Sequence, residues 1–558
     1  MTQNFLAFTK KSPKNYLTFI LIIILFLGVY CRIANLDSKI YWIDEVATSL
    51  RVAGFTKQEV TQEIFNKGLI PISELQNYQK ITNQKTFKHT IKAFIQSPEH
   101  TPLYFILARI WTSVFGSSIS AIRSLSVLFS LLTLPLIYRL CQILFQPAKT
   151  GWIAVSLLSL SPLYVTYAQE ARPYSLLVCI ILLSQITLYQ ELRSHSWFNW
   201  FSYTISLILS IYTSLLSILV IIAQSLYVIV IDYSQKKSKM NEGRSHNSLL
   251  PSSSCPLPFL IIYQLTAVII AFIAFSPWLI IMVQNWQLLQ DNTTWMNVFL
   301  HPLVMIAIWF YSLATIFIET PIYLGWNWLI ITRLIIDIHL FIIIFYSFYF
   351  FYKKTDKTIG LFILLQIFIP LLIMRGSDLI FGGQSSTAIR YMMPNYVLIH
   401  LTVAYLFSEK IQTFSKIFLP SIKPWIIILS LVLFIETFSC FSILDKSPQY
   451  QKTRNFHNPA IANIINHNPD SILLTEPLHV FDAISLSYIL NSSIQFQLVS
   501  HLSHLSFFAA DKTIYLLNPS EDFISQIQQS SRDITLEKIY QPELLTDGEI
   551  HLTLWKLS

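Results

Sequence analysis

The chain has 558 residues, of which 53% are hydrophobic and 12% are charged. A soluble globular domain carries about 25% charged residues, so this composition excludes an ordinary soluble protein and indicates a polytopic α-helical membrane protein. The formal net charge of +8 comes from Lys and Arg residues that stand mostly in short loops beside apolar runs. Such residues hold cytoplasmic loops in place, so the positive charge is attributed to topology and not to nucleic-acid binding.

The apolar runs predict about eleven membrane-spanning helices, since a crossing needs about 20 apolar residues. They lie at 16–35, 121–143, 151–168, 173–192, 197–213, 214–232, 259–284, 327–352, 358–374, 391–409 and 425–444. Two further apolar stretches, 101–116 and 298–317, give about thirteen helices if they also cross. The eleven-helix path is preferred, because it leaves the basic N-terminus and the basic cluster around Lys236 on the same, cytoplasmic side.

This path divides the chain into a transmembrane domain, 1–444, and a C-terminal domain, 445–558. The first outer loop, 36–120, is predicted to contain amphipathic helices that lie on the membrane surface. The C-terminal segment alternates short β-rich runs with helical stretches, which predicts a small α/β domain on the outer face. The predicted strands are 472–475, 494–499, 513–517 and 550–557, and the predicted helices are 459–467 and 521–530.

Asp44 and Glu45 stand just after the first apolar run, beside the predicted membrane surface. A carboxylate held there is a candidate catalytic base for a group transfer to a hydroxyl or an amine. The alternative is structural, because an acidic residue is common at the beginning of a helix.

Glu170, Arg172 and Tyr174 follow the third predicted span, and Pro173 suits the first turn of the next helix. Charged residues at this depth are costly unless they are paired or hydrated. Glu170 and Arg172 therefore form either a local ion pair that fixes the turn or part of a substrate site, with Arg172 facing a phosphate.

Arg390 and Tyr391 follow a loop that begins with Gly382 and Gly383. An arginine at a helix start after a flexible loop is suited to bidentate phosphate binding, although an interfacial Arg-Tyr anchor has the same appearance. His100 precedes the apolar stretch 101–116 and is a further candidate for substrate binding, with a structural role as the alternative. No His, Cys and Asp grouping has metal-ligand spacing, so no metal site is assigned, although paired carboxylates leave a divalent cation possible.

These pieces together resemble the C-type (GT-C) membrane glycosyltransferases, the group that contains protein O-mannosyltransferases, placed in glycosyltransferase family 39, and lipid A aminoarabinose transferases. The resemblance covers roughly residues 15–410. In family order the matching pieces are Trp42-Ile-Asp44-Glu45, His100-Thr-Pro102-Leu-Tyr104, Phe115-Gly116, Ala121-Ile-Arg123-Ser-Leu-Ser126, Ser161-Pro162, Gln169-Glu170-Ala-Arg172-Pro-Tyr174, Ser276-Pro277-Trp278 and Arg390-Tyr391 with Pro394.

The resemblance implies a GT-C fold and a role for each matched position. Asp44, with Glu45 beside it, is expected to activate the acceptor, and Arg390 is expected to neutralise the phosphate of the donor lipid. The remaining candidates are expected to bind substrate: Glu170, Arg172, Tyr174, Tyr391, His100 and Arg123. The chain departs from the family where a His often follows Tyr-Thr, since Ser214 follows Tyr212-Thr213 here.

The predicted function is therefore transfer of a hexosyl or pentosyl group from a polyprenyl-phosphate donor to a lipid, glycan or protein acceptor, with inversion at the anomeric carbon. The expected location is the outer face of a prokaryotic plasma membrane, in contact with the bilayer and not with nucleic acid. Two alternatives stay open: a membrane polysaccharide polymerase or ligase, and a flippase or transporter of lipid-linked sugars.

Overall fold

The structure is a computed structural model that describes residues 14–145, 148–194, 196–242, 259–319, 328–417, 424–444, 453–500, 512–530, 535–541 and 552–557. Lys10 and Lys11 of the basic N-terminus and Arg244 of the basic cluster around Lys236 lie outside these ranges. Residues 550 and 551 of the last predicted strand also lie outside them.

The described part of the chain is mainly helical. In its N-terminal half the helices are α1 (Lys14–Ile33), α2 (Ile43–Ala53), α3 (Lys57–Lys67), α4 (Phe87–Ile95), α5 (Leu103–Phe115), α6 (Ile119–Leu144), α7 (Ala148–Leu160), α8 (Pro162–Ala168), α9 (Tyr174–Ser194), α10 (Trp197–Thr213) and α11 (Ser217–Glu242). They continue as α12 (Phe259–Gln284), α13 (Trp286–Thr293), α14 (Pro302–Ala314), α15 (Trp328–Lys354), α16 (Lys357–Phe381), α17 (Met393–Ile417) and α18 (Pro424–Leu444).

Seven of the described helices are long and apolar enough to cross a membrane, and the number rises to nine if each of two bent pairs is one span. Every predicted span coincides with one helix or, for 151–168, with the pair α7 and α8. That pair bends by 59° at Ser161-Pro162, where proline cannot donate the helical hydrogen bond. The second bent pair, Trp286–Asn297 and Pro302–Ala314, turns by 92° and contains the ambiguous stretch 298–317. Multi-pass membrane architecture is thus confirmed, and the number of eleven spans stays a prediction.

The first outer loop contains short helices, as its sequence indicates. Helix α3 begins with a capping box, in which Thr56 and Glu59 satisfy each other's backbone N–H groups. Helix α5 spans Leu103–Phe115, thirteen residues that are short for a membrane crossing. Whether these helices rest on the bilayer surface stays a prediction.

A mixed sheet is built mainly from the C-terminal segment. Its strands are β1 (Ile70–Pro71), which lies in the first outer loop, β2 (Ile472–Thr475), β3 (Gln495–Leu498), β4 (Ile514–Leu517), β5 (Leu536–Tyr540) and β6 (Leu554–Leu557), and their order in the sheet is β1-β3-β2-β4-β6-β5. The helices of the C-terminal segment are α19 (Thr453–Phe456), α20 (Asn458–Asn466), α21 (Val480–Ser487) and α22 (Glu521–Ser530). Strand β2 pairs in parallel with β3 and β4, whereas the other pairings are antiparallel.

Strand β1 comes from the first outer loop, and it pairs Ile70 with Phe496 at the edge of the C-terminal sheet. The two segments also share one buried apolar cluster, in which Leu50 and Leu75 join Ile484 and Phe496. The side chain of Asn455 accepts a hydrogen bond from the backbone N–H of Ile43 at 2.9 Å. The C-terminal segment therefore supports the beginning of α2, the helix that carries Asp44.

Candidate active site

Helix α2 presents Asp44, Thr48 and Arg51 on one face, because residues three and four positions apart lie above one another. The Asp44 side chain is about 30% exposed, whereas Glu45 next to it has no exposed surface. Because of this difference in exposure, Asp44 is the carboxylate of the pair that a substrate can reach. The helix ends at Gly54, whose φ of +96° is a conformation that residues with a Cβ rarely adopt.

Glu45 is held in a buried bidentate ion pair with Arg123 of α6. The Arg123 Nη2 and Nε atoms lie 2.6 and 2.8 Å from the Glu45 Oε2 and Oε1 atoms. Glu45 Oε1 also accepts the backbone N–H of Ala171 at 2.8 Å, and Arg123 donates to the Leu36 carbonyl at 2.6 Å. The pair thus joins α2, α6 and the loop that contains Arg172.

Arg172 is buried and faces Asp44. Its Nη2 atom lies 3.5 Å from Asp44 Oδ2, and its Nη1 atom donates to Thr48 Oγ1 at 3.2 Å. Its guanidinium also lies 5.9 Å from the centre of the Tyr174 ring. Burial alone would lower the pKa of Arg172, but Asp44 and Tyr174 outweigh it and raise the pKa above its usual value. Arg172 is therefore a fixed positive charge beside the exposed carboxylate.

Arg390 lies in a 3₁₀ turn, Ile389–Met392, and its guanidinium is surrounded by aromatic rings. The ring centres of Trp42, Trp295 and Tyr391 lie 5.8, 5.8 and 5.3 Å from it. Its Nε atom has no hydrogen-bond partner among the described residues. Burial opposes the charge, yet Tyr174, Tyr391 and Asp44 raise the pKa of Arg390 well above its usual value. The result is a cation with spare hydrogen-bonding capacity.

The loop before Arg390 is fixed to the α13–α14 connection. Gln384 donates its backbone N–H to Met296 O at 2.9 Å and its side-chain amide to Trp295 O at 2.8 Å. Asp378 accepts from Ser386 N at 2.6 Å. A Cβ at Gly383 would lie 3.0 Å from Met296 O, which explains a glycine in this loop.

His100 completes the site from the segment before α5. Its Nε2 atom lies 3.6 Å from Glu99 Oε1. Burial, followed by the charges of Arg51, Arg172 and Arg390, lowers the pKa of His100 well below its usual value. His100 is therefore neutral at pH 7 and exchanges hydrogen bonds without adding charge.

Sequence reasoning missed Arg51, whose Nη1 atom has no hydrogen-bond partner among the described residues. Its spacing from Asp44 and Thr48 on one helix face was the available signal. It also missed Trp295, which has no motif around it.

The structure brings Asp44, Arg172, Tyr174, Arg390, Tyr391 and His100 into one region. Glu170 is 2% exposed and lies beside this group, whereas Glu45 and Arg123 lie behind it. Asp44 and Arg390 lie near each other, since the charge of Asp44 is one of those that raise the pKa of Arg390. Among the described residues no group of three or more His, Cys, Asp or Glu side chains has a metal-binding arrangement.

The family model for dolichyl-phosphate-mannose-protein mannosyltransferases matches residues 99–242. This segment contains His100, Arg123, Glu170, Arg172 and Tyr174. The match confirms the resemblance to C-type membrane glycosyltransferases over this part of the chain. The apolar helices separately indicate a multi-pass membrane protein. No curated protein matches the chain.

Several solved structures are similar to the chain. ArnT from Cupriavidus metallidurans, bound to undecaprenyl phosphate, aligns over 98% of both chains with 10% identity and a TM-score of 0.48. The Archaeoglobus fulgidus oligosaccharyltransferase tethered to an acceptor peptide aligns over 86% of this chain and 64% of its own, with 12% identity and a TM-score of 0.41. AglB from the same organism, in complex with an inhibitory peptide and a dolichol-phosphate, aligns over 86% and 65% with the same identity and TM-score.

Proposed function

We propose that the chain transfers a sugar from a polyprenyl-phosphate donor to an acceptor on the outer face of the membrane. The observation that carries this proposal is the exposed carboxylate of Asp44, which faces Arg172 at 3.5 Å in the region that also contains Arg390. Such a reaction needs a cation that offsets the charge of the leaving phosphate and, close to it, a base that takes the acceptor proton. Arg390 is the proposed cation and Asp44 is the proposed base.

Arg390 is the proposed ligand of the donor phosphate. Its raised pKa keeps it charged, and its buried Nε atom has no hydrogen-bond partner among the described residues. Arginine suits phosphate because its planar donors match two phosphate oxygens at once. The rings of Trp42, Trp295 and Tyr391 lie within 5.8 Å of the guanidinium, and a charge in such less polar surroundings attracts an anion more strongly than one in water.

Asp44 is the proposed base. Its side chain is about 30% exposed, so an acceptor hydroxyl can approach the carboxylate, which Arg172 orients at 3.5 Å. As the acceptor oxygen bonds to the anomeric carbon, its proton passes to Asp44 and the bond from that carbon to the phosphate oxygen breaks. The electron pair leaves with polyprenyl phosphate, whose charge Arg390 offsets. A single displacement of this kind inverts the anomeric carbon.

Glu45 and Arg123 take a positioning role in this proposal, unlike the direct roles expected from sequence. Glu45 has no exposed surface and both of its oxygens are occupied, so it has no oxygen for a substrate proton. The Arg123 donors are engaged with Glu45 and with backbone carbonyls of the first outer loop. The two residues orient α2 and the Arg172 loop around the reacting groups.

One observation favours a second candidate, a flippase of lipid-linked sugars. Glu436 lies in the middle of α18 with no exposed surface, and neither carboxylate oxygen has a hydrogen-bond partner among the described residues. Buried acids within membrane helices often belong to transport pathways.

Reconstitution in liposomes with a polyprenyl-phosphate sugar separates the two candidates. The proposal predicts release of free polyprenyl phosphate that depends on added envelope extract and survives Glu436→Gln. A flippase instead moves intact donor between leaflets, without releasing polyprenyl phosphate, and loses that movement in Glu436→Gln. Donor movement without release in the wild-type protein contradicts the proposed transfer.

A further inference from the structure

A cavity of about 860 Å³ lies beside the candidate site and is not used by the mechanism above. Its volume falls in the range of about 300–1,000 Å³ that is usual for small-molecule sites. Helix α3, helix α13 and the turn at 477–478 contribute to its walls. All three lie outside the seven long apolar helices, although α13 belongs to the bent pair Trp286–Asn297 and Pro302–Ala314.

The cavity wall formed by α3 is one continuous face of that helix. Its lining positions recur at spacings of about four residues, as expected for one face: Lys57, Gln58, Thr61, Gln62, Phe65 and Asn66. Helix α13 contributes Leu288 and Asn292. The Asn292 side chain donates to Glu99 Oε2 at 3.0 Å, which connects this wall to the segment that carries His100.

Arg51 connects the cavity to the reacting groups. It lines the cavity, and it lies on the same face of α2 as Asp44 and Thr48. Its guanidinium is a cation at the cavity wall, and its buried Nη1 atom has no hydrogen-bond partner among the described residues. Asp44 does not line the cavity and stands seven residues before Arg51 on α2, a rise of about 10 Å, so a headgroup in the cavity reaches the Asp44 carboxylate only if it extends along two turns of this helix.

The lining has the chemistry of a carbohydrate site with positive charge. Side-chain amides from Gln58, Gln62 and Asn66 supply donors and acceptors for hydroxyl groups. Arg51 and Lys57 supply two cations, and none of the described residues that line the cavity is Asp or Glu. The Lys57 Nζ atom is placed by contacts with Leu478 O at 3.4 Å and with the Phe481 ring at 5.4 Å. Amide groups with unbalanced positive charge favour a hydroxyl-rich ligand that carries an anionic group.

We propose that this cavity binds the acceptor, and that the acceptor is a carbohydrate headgroup with a negatively charged substituent. The role of this ligand as acceptor rests on the proposed transfer reaction, whereas its binding in the cavity does not depend on that reaction. The anionic substituent lies against Arg51 and Lys57, and a hydroxyl of the same headgroup reaches Asp44.

The test uses the purified full chain in detergent and two trisaccharides of similar size, trigalacturonate and maltotriose. Gln62→Trp adds bulk to the cavity wall and obstructs the cavity, and Glu63→Trp places the same bulk at the adjacent, exposed position that does not line it. Affinities are measured by ligand-observed NMR, and polyprenyl-phosphate binding is measured on the same samples. The inference predicts that the wild-type protein binds trigalacturonate more tightly than maltotriose and that Gln62→Trp abolishes the binding of both.

The control and the salt dependence complete the expected result. Glu63→Trp binds trigalacturonate as the wild-type protein does, and binding weakens when NaCl rises from ~0.05 to ~0.5 M because salt screens the two cations. Equal affinities for the two sugars, or equal losses in the two tryptophan variants, overturn the inference. Absence of trisaccharide binding with intact polyprenyl-phosphate binding overturns the cavity assignment alone, whereas trisaccharide binding without polyprenyl-phosphate binding contradicts the transfer proposal alone.

Discussion

The buried pair of Glu45 and Arg123 gives the sharpest stability prediction. Glu45 has 0% and Arg123 has 1% of its side chain exposed, and the two are joined at 2.6 and 2.8 Å. Removal of one partner from such a pair leaves a buried charge without compensation, which costs roughly 3–5 kcal/mol. Glu45→Gln and Arg123→Met are therefore each expected to lower the free energy of unfolding by that amount.

The double variant is informative because both charges are then absent. Since replacement of an entire buried ion pair by neutral groups is often close to neutral, Glu45→Gln with Arg123→Met is expected to cost less than the two single changes together. The surface pair of Lys67 and Glu74 provides a matched control, because its side chains are 45% and 30% exposed. Glu74→Gln is expected to cost about 0–1 kcal/mol, as exposed ion pairs do.

Denaturant titrations of the four variants and the wild-type protein in detergent measure these differences in the free energy of unfolding. The pair also positions the Arg172 loop through Ala171, so both single variants are expected to lose transfer activity. Single changes that cost no more than Glu74→Gln, or costs that add fully in the double variant, refute the assignment of a buried pair that holds α2 in place.

Three further predictions concern the site. Arg390→Ala should weaken polyprenyl-phosphate binding by about tenfold to a hundredfold, with a smaller loss in Arg390→Lys, and unchanged affinity in a lipid-binding titration would reduce Arg390 to an interfacial anchor. Asn455→Ala removes the side chain that accepts the Ile43 N–H, so it should lower the free energy of unfolding by about 1 kcal/mol. It should also lower kcat without changing the affinity for polyprenyl phosphate. An unchanged kcat would show that the C-terminal segment does not support catalysis through this hydrogen bond. The pKa of His100 is lowered in the folded chain, so below about pH 6.5 the unfolded chain binds a proton that the folded chain does not, and the free energy of unfolding should decrease as the pH is lowered through that window. The melting temperature of His100→Gln should therefore decrease less steeply on acidification than that of the wild-type protein. Parallel curves for the two proteins would contradict the assignment.

The helices of the fold can be predicted from the sequence because backbone groups inside a membrane must form their hydrogen bonds within the protein. Each predicted span coincides with a helix or a bent helix pair, since an apolar run of about 20 residues in lipid has few alternatives to a helix. The strands at 472–475, 494–499 and 513–517 also lie within a residue of their predicted bounds, because β-rich runs there are short and bounded by turn residues.

Other features required the three-dimensional structure. Strand β1 has only two residues, Ile70 and Pro71, so no periodicity indicates that it extends the C-terminal sheet. The pairing of Glu45 with Arg123 joins positions 78 residues apart, and the sequence offers no sign of which of two adjacent acids turns inward. The predicted topology puts Asp44, Arg172 and Arg390 on the outer face; the structure brings the three side chains near one another, whereas the outer face and their chemical roles stay predictions.

The central claim is that Asp44 takes the acceptor proton while the arginines hold the donor. Asp44→Asn keeps the size of the side chain and removes its basicity, so measurement of transfer in this variant tests the claim most directly. Sugar transfer should fall by a factor of about 10²–10⁴, the usual contribution of a general base, with polyprenyl-phosphate affinity close to that of the wild-type protein. Transfer at the wild-type rate in Asp44→Asn would contradict the account.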